Sequence, residues 1–262
     1  MFQSPGDVAF SIYGFPVYYY GITLAFAILV GVYTAYALYK KFYGIDKAEC
    51  IIDFSPYIIV LGVVGARLYY CLVNYSYYLV NPLQIFNIRQ GGLSIHGMIF
   101  VGILSLWMFS KIYKMSFLKL LDVFLCGTAI AQSIGRWGNF FNSEAFGAPT
   151  NLPWKLFIPV AKRPLEFISS EYFHPTFLYE SILDLLIFVV LLLVFKKFSK
   201  KPGIIACCYL IMYSFARIAV EQIRLDSALN IQGIPVAQIA SIVLIMVSII
   251  SIAVILLRKE RK

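Results

Sequence analysis

Long apolar blocks alternate with short polar segments along the whole chain. A helix needs roughly 20 apolar residues to cross the hydrocarbon core of a bilayer, and seven blocks reach or approach that length. They lie at about 17–39, 51–73, 93–110, 117–135, 176–195, 203–221 and 235–257. The pattern predicts an all-α, polytopic integral membrane protein, with seven transmembrane helices in a single domain over residues 1–262.

The longest polar segment connects the fourth and fifth predicted spans, at about residues 136–175. It contains Trp154, five prolines and three glutamates, a composition typical of irregular structure. A small extracytoplasmic loop subdomain is expected here. The connections on the opposite side are too short for a cytosolic catalytic domain.

Composition and charge support the membrane interpretation. Apolar and aromatic residues make up 61% of the chain and charged residues 13%. In a typical soluble domain about half of the residues are apolar and about a quarter are charged.

The net charge of +9 would suit a nucleic-acid partner, but the positions of the cations along the chain do not favour one. Most cations fall in alternate connections and in the tail: Lys40, Lys41, Lys47, Lys111, Lys114, Lys119, Lys196, Lys197, Lys200, Lys201, Arg258, Lys259, Arg261 and Lys262. Fewer lie on the other side: Arg89, Lys155, Lys162, Arg163 and Arg224. The positive-inside rule therefore predicts an outside N-terminus and a cytoplasmic C-terminus, with no nucleic-acid partner.

Neither a cleaved signal peptide nor cysteine chemistry is expected from this sequence. The N-terminal segment holds no Lys or Arg, so it does not resemble a signal peptide, and the first span is expected to stay in the mature protein. The five cysteines form no C-x-x-C pair and mostly lie in apolar spans. We expect them to be packing residues, without a disulfide framework or a metal site.

Ionisable residues inside the spans are functional candidates, because burying them in a membrane costs several kcal/mol unless they are paired or hydrated. Tyr213, Arg217 and Glu221 recur every four residues and share one helix face, where the last two can pair. Packing and functional roles are both open for this face. Arg67 follows the small residues Gly65 and Ala66, which favours an inter-helix tether.

The two histidines occupy different settings. His96 opens the third span within the glycine-rich run 91–97, and its reference pKa near 6.5 makes it a candidate general base. A lone membrane histidine is also often a simple hydrogen-bonding residue. His174 precedes Pro175 at a loop-to-helix junction, which it is expected to organise, and Glu180 and Asp184 share a face of the helix that follows.

The densest polar cluster is the run from Gly135 to Glu144, called the signature run below. Its glycines, asparagines, serine, arginine and glutamate are incompatible with a lipid-facing helix, so it must be buried in protein or line a wet cavity. Arg136 offers a planar donor fork suited to phosphate oxygens. The run is therefore predicted to bind a lipid phosphate; the alternative is an interfacial loop with a snorkelling arginine.

The signature run, Gly135-Arg136-Trp137-Gly138-Asn139-Phe140-Phe141-Asn142-Ser143-Glu144, closely resembles the G-R-x-G-N-F-x-N-x-E motif of bacterial prolipoprotein diacylglyceryl transferases. Residues 91–97 are similar to the family's G-G-L-x-x-H-G, and residues 174–180 to H-P-T-x-L-Y-E. Tyr20-Gly21, Gly65-Ala66-Arg67, and Arg217 to Glu221 followed by Arg224 occur in the expected order, so the likeness covers essentially the whole chain. The departures are mild: Met98, Phe177 and the run Arg224-Leu225-Asp226 differ from common family residues.

The resemblance implies the first step of bacterial lipoprotein maturation, at the cytoplasmic membrane. The diacylglyceryl group of phosphatidylglycerol would move to the lipobox cysteine thiol in the signal peptide of a prolipoprotein, forming a thioether and releasing glycerol 1-phosphate. No metal or organic cofactor is implied, and the expected partners are phosphatidylglycerol, the prolipoprotein and the lipid bilayer.

Site roles follow from that chemistry. The candidate catalytic residues are His96 as the base and Arg136 and Arg217 as phosphate ligands, since guanidinium is a poor proton acceptor. The candidate substrate-binding residues are Tyr20, Arg67, Asn139, Asn142, Glu144, Tyr213 and Glu221.

The same residues are compatible with two other classes of function. A secondary transporter or lipid flippase would also use intramembrane Arg/Glu pairs, but no inverted repeat is visible and the ionisable groups gather toward the outer ends of the spans. A non-catalytic scaffold would leave the signature run unexplained.

Overall fold

The computed structural model describes residues 2–88, 91–225, 230–231 and 234–257. Within these ranges seven helices are long and apolar enough to cross a membrane, which confirms the predicted fold class. They are α1 (Tyr19–Tyr43), α2 (Glu49–Val73), α4 (Ile95–Ile112), α5 (Phe117–Asn142), α6 (Thr176–Phe198), α7 (Ile204–Glu221) and α8 (Val236–Leu257). Arg89, Asp226 and the four tail cations at 258–262 lie outside the described residues.

The signature run differs most from the sequence prediction. Helix α5 continues to Asn142, so the prediction that this span ends at 135 and that the loop begins at 136 is wrong. This stretch of helix packs against protein on one face: Gly138 and Phe140 are buried, and the ring of Tyr20 packs on Gly138. The loop subdomain therefore starts at Ser143.

Short strands order the segments outside the spans. Strand β1 (Phe2–Gln3) pairs in parallel with β4 (Leu156–Phe157), which pairs antiparallel with β5 (Tyr172–Phe173). Two hairpins precede helices: β2 (Val8–Ile12) with β3 (Phe15–Tyr18) before α1, and β6 (Asn230–Ile231) with β7 (Ile234–Pro235) before α8. The core of the loop subdomain is a cluster of buried apolar side chains: Phe140, Phe146, Leu156, Ile158, Phe173 and Phe177.

The described chain divides into two compact units, residues 1–34 with 122–262, and residues 35–121. The predicted single domain over the whole chain stays a prediction. In the second unit α2 packs on α4, and the short helix α3 (Tyr75–Val80) and a 3-10 turn (Pro82–Phe86) lie in the connection between them. In the first unit α7 packs between α6 and α8.

Buried polar contacts fix the helices of the first unit against one another. Ser133 on α5 and Ser181 on α6 each donate a hydroxyl hydrogen bond of 2.8 Å to the other's carbonyl. The Tyr209 hydroxyl on α7 donates to Gln132 Oε1 at 2.7 Å. The Asp122 carboxylate accepts the backbone N–H groups of Gly203 and Ala206 at the start of α7. Such contacts set the helix register, because lipid offers no alternative partners.

The α2–α4 contact in the second unit depends on small residues. A Cβ on Gly97 would lie 2.5 Å from Tyr69 Cβ and would overlap the carbonyl of Gly65, so the two backbones touch. We expect Gly97→Ala to destabilise the folded protein by about 1–3 kcal/mol, because the helices must separate. Thermal unfolding in detergent measures this. Gly102→Ala on the same helix is the control, since nothing lies within 4 Å of its added Cβ. Equal melting temperatures for the two variants would contradict close packing at Gly97.

Candidate active site

Three arginines from three segments converge on one carboxylate, that of Glu180 on α6. Arg136 Nη1 on α5 lies 3.1 Å from Glu180 Oε2, and Arg217 Nη1 on α7 lies 3.3 Å from Oε1. Arg224, just after α7, places Nη1 3.1 Å from Oε1 and 3.3 Å from Oε2. We call these four residues, with Asp184 and Glu221, the arginine cluster.

Two further carboxylates complete the arginine cluster. Asp184 Oδ2, one turn after Glu180, lies 3.8 Å from Arg136 Nε, and Glu221 Oε2 lies 2.6 Å from Arg217 Nη2. Three guanidinium groups thus face three carboxylates. The Glu180 and Glu221 side chains are 6% and 2% exposed, whereas the Arg136 and Arg217 side chains remain 19% and 21% exposed. The acidic groups are inside and the arginines reach outward, so the arginines are the groups accessible to an anion.

The segment after the signature run holds α6 and the end of α7 together. The Thr176 hydroxyl, at the start of α6, donates to the Ala145 carbonyl. Gly147 N–H donates to the His174 carbonyl at 3.0 Å, and Ala148 N–H donates to the Ile223 carbonyl at 2.8 Å. His174 therefore lies at the loop-to-helix junction, and these hydrogen bonds link the start of α6 to the segment that leads to Arg224.

The remaining polar side chains of the signature run form a separate group. Glu144 Oε1 accepts hydrogen bonds from Asn139 Nδ2 at 2.9 Å and from Asn142 Nδ2 at 3.4 Å. Tyr20 lies beside them, because its ring packs on Gly138 so closely that a Cβ there would be 2.7 Å from Tyr20 Cδ2. Glu144 and Tyr20 are exposed, so this group can reach a ligand from outside the helix bundle.

Tyr213, one turn before Arg217 on α7, lies next to the arginine cluster. It lines a void of about 10 Å³ together with Arg136, Glu180 and Arg217. That volume is about the size that holds one water molecule, so the cluster is packed. The Tyr213 ring stacks on Tyr209 at a centroid distance of 5.7 Å, and Tyr209 is itself bonded to Gln132.

Arg67 and His96 belong to the other compact unit, residues 35–121. Arg67 donates all five of its N–H groups to backbone carbonyls of the connection that follows α2. The acceptors are the carbonyls of Gln84, Ile85, Asn87, Gly91 and Gly92. The Arg67 guanidinium also lies over the Tyr78 ring, 5.4 Å from its centroid. His96, four residues after Gly92, has its ring 6.0 Å from that of Tyr69.

Sequence reasoning placed Arg217, Tyr213 and Glu221 on one helix face, and the structure brings that face to Arg136. It did not name Glu180, Asp184 or Arg224 as site residues. The four-residue spacing of Glu180 and Asp184 was the available signal, but the sequence did not show that this face of α6 meets α5 and α7.

The chain matches the family model described as prolipoprotein diacylglyceryl transferase over residues 7–254. Several similar proteins are named phosphatidylglycerol–prolipoprotein diacylglyceryl transferase. One from Synechocystis sp. is 45% identical, covering 94% of this chain and 87% of its own length. One from Nostoc sp. is 40% identical, covering 99% and 93%, and one from Prochlorococcus marinus is 41% identical, covering 89% and 84%.

Glu180→Gln tests whether the shared carboxylate holds the arginine cluster. The variant keeps the side-chain shape but leaves three guanidinium groups with one negative charge fewer. We expect a loss of about 3 kcal/mol in unfolding free energy, because uncompensated buried charge is costly. Thermal unfolding in detergent measures it, with Glu166→Gln, an exposed glutamate of the loop subdomain, as the control. A variant as stable as the control would show that Glu180 does not anchor the arginines.

Proposed function

The chain belongs to the prolipoprotein diacylglyceryl transferase family, and on that premise we propose how its residues carry out the transfer. The enzyme moves the diacylglyceryl group of phosphatidylglycerol onto a prolipoprotein. The acceptor atom is the sulfur of the lipobox cysteine in the precursor's signal peptide. The sulfur attacks the diacylglyceryl carbon that bears the phosphate, a C–S bond forms, and the C–O bond to the phosphate breaks. Glycerol 1-phosphate leaves with that electron pair, and the thiol proton goes to a base.

The arginine cluster carries this proposal. Negative charge grows on the departing phosphate, and catalysis requires donors already placed where that charge develops. Arg136 and Arg217 both form ion pairs with the buried carboxylate of Glu180, while their own side chains remain partly exposed. Because the Glu180 carboxylate already orients both guanidinium groups, no free energy is spent on orienting them during the reaction. Its negative charge also reduces the repulsion between the two cations. Arg224, bonded to the same carboxylate, keeps Glu180 in place.

The polar group around Glu144 suits the rest of the lipid head group. A carboxylate that two amide groups already orient can accept hydrogen bonds from glycerol hydroxyls. Tyr20 adds a phenol beside it. In this proposal Asn139, Asn142 and Tyr20 hold the head group while Arg136 binds its phosphate.

His96 supplies the base in this proposal. A thiol of pKa about 8.5 is mostly protonated at neutral pH, and imidazole accepts protons there. Arg67 positions this segment: it holds the carbonyls of Gly91 and Gly92, four residues before the histidine, and Ser94 N–H donates to the Ala66 carbonyl at 3.0 Å. Its five backbone contacts favour this role over direct contact with the head group.

The chain is a multi-pass protein of a bacterial membrane. We propose that its N-terminus lies outside the cytoplasm and its C-terminus inside, because the lysine-rich connections lie on the side opposite the loop subdomain in sequence order. The arginine cluster would then open toward the outer leaflet. Membership of the transferase family does not support the transporter or flippase alternative.

Arg136→Ala tests the phosphate role. With phosphatidylglycerol and a lipobox peptide in detergent, the unchanged protein should release glycerol phosphate and yield a lipidated cysteine. We expect the variant to lose at least about a hundredfold in rate, because an oriented cation is missing from the transition state. Arg136→Lys keeps the charge without the planar fork and should retain part of the rate. Near-normal turnover by a folded Arg136→Ala protein would remove Arg136 from the site.

His96→Gln tests the base. At pH 7 we expect a loss of about a hundredfold or more. The residual rate should climb from pH 6 toward pH 9, because the substrate thiol then ionises without help. His174→Gln, the control at the chain's other histidine, should keep the pH profile of the unchanged enzyme. Near-normal turnover of His96→Gln across pH 6–9 would assign the base to another group.

A further inference from the structure

A second cavity lies beside the signature run, in the compact unit formed by residues 1–34 and 122–262. Its volume is about 390 Å³, within the range of about 300–1,000 Å³ typical of small-molecule sites. It is lined by Asp7, Tyr18, Tyr20, Gly21, Asn142 and Lys162. The cavity is thus built from the N-terminal segment, the start of α1, the end of α5 and the loop subdomain.

The cavity has two charged residues, of which Lys162 is bonded through its side chain and Asp7 through its backbone carbonyl. Lys162 Nζ donates to the Asn142 carbonyl at 3.0 Å, which leaves two of its three N–H donors for a ligand. The Asp7 carbonyl accepts the backbone N–H of Tyr19 at 2.9 Å, which fixes this residue at the start of α1.

The N-terminal segment is joined to the end of α5. Ser4 Oγ donates to the Phe141 carbonyl at 2.8 Å, and the Tyr19 and Phe141 rings stack at 4.5 Å. The walls that carry Asp7 and Lys162 are therefore linked by hydrogen bonds and ring stacking.

Tyr20 and Asn142, which hold the head group in the proposed function, also line this cavity. Tyr20 packs on Gly138, and Asn142 Nδ2 shares Glu144 Oε1 with Asn139. The cavity is lined by none of the arginine cluster's side chains in the described part of the chain.

We propose that this cavity binds a glycerol phosphate group, with the Lys162 ammonium pairing the phosphate. The Asp7 carboxylate and the Asn142 amide oxygen accept hydrogen bonds from the glycerol hydroxyls. A single exposed lysine binds an anion more weakly than several partly buried arginines held side by side, so this site suits a group that must be released. The inference rests on the proposed function, because the transfer generates glycerol phosphate. That chemistry has two sources, the free product and the head group of an incoming phosphatidylglycerol.

Lys162→Gln distinguishes the two sources. Transfer to a lipobox peptide is measured over a range of phosphatidylglycerol concentrations, with and without added glycerol 1-phosphate. If the free product binds here, the inhibition constant of added glycerol 1-phosphate should rise about three- to fivefold, with KM for the lipid unchanged. If the lipid head group binds here, KM for phosphatidylglycerol should rise by a similar factor. Lys162→Arg should restore the affected constant in either case.

Lys155→Gln is the matched control. It removes the same charge from the loop subdomain, but Lys155 lies over the Tyr172 ring, 4.1 Å from its centroid, and does not line the cavity. Both constants should stay at their original values in this variant. If Lys162→Gln leaves both constants unchanged, or if Lys155→Gln shifts them equally, the cavity is not a glycerol phosphate site. Failure of the proposed function is distinguishable, because the unchanged protein would then transfer no lipid.

Discussion

The buried carboxylate of Glu180, shared by three guanidinium groups, is the interaction on which the candidate active site depends. A single buried ion costs several kcal/mol to desolvate, and that cost is offset only when partners surround it. Here the partners come from α5, α7 and the segment after α7. If α5 or α7 moved away from α6, a buried charge would lose its partner. The arginine cluster therefore favours one packing of these three helices. The serine pair between α5 and α6 and the Tyr209–Gln132 bond between α7 and α5 connect the same helices at other points.

This arrangement suits the chemistry of a phosphate leaving group. Carboxylates lie inside and partly exposed arginines face outward, so the protein holds cations in place before an anion arrives. Asn139 and Asn142 lie further along α5, and Glu144 follows just after its end, so hydrogen-bonding groups suited to hydroxyls lie next to the cationic site. Strong cationic binding at the reacting phosphate and weak binding at Lys162 would give the departing group a direction of release.

In the unit of residues 35–121 a single arginine side chain provides hydrogen bonds for the backbone of a connecting segment. The connection after α2 leaves backbone carbonyls at and after its 3-10 turn that need hydrogen-bond partners, and carbonyls without partners are costly near a membrane. Arg67 satisfies five of them with one side chain, and so fixes the segment that leads to His96. A residue that sequence reasoning considered both as a tether and as a substrate ligand thus has the contacts of a tether.

The sequence by itself determined the seven spans, because span length and apolar content depend on the bilayer and not on tertiary contacts. It also indicated the phosphate chemistry, since arginine, asparagine and glycine at this density are too costly in a span without a function. Only the tertiary structure showed that α5 stays helical to Asn142. The packing of the Tyr20 ring on Gly138 is a contact between segments distant in sequence, which the residue pattern of α5 does not reveal. Likewise, helical spacing placed Glu180 and Asp184 on one face, but which helix that face meets is a long-range property. The convergence of Arg136, Arg217 and Arg224 on Glu180 is therefore visible only in the folded chain.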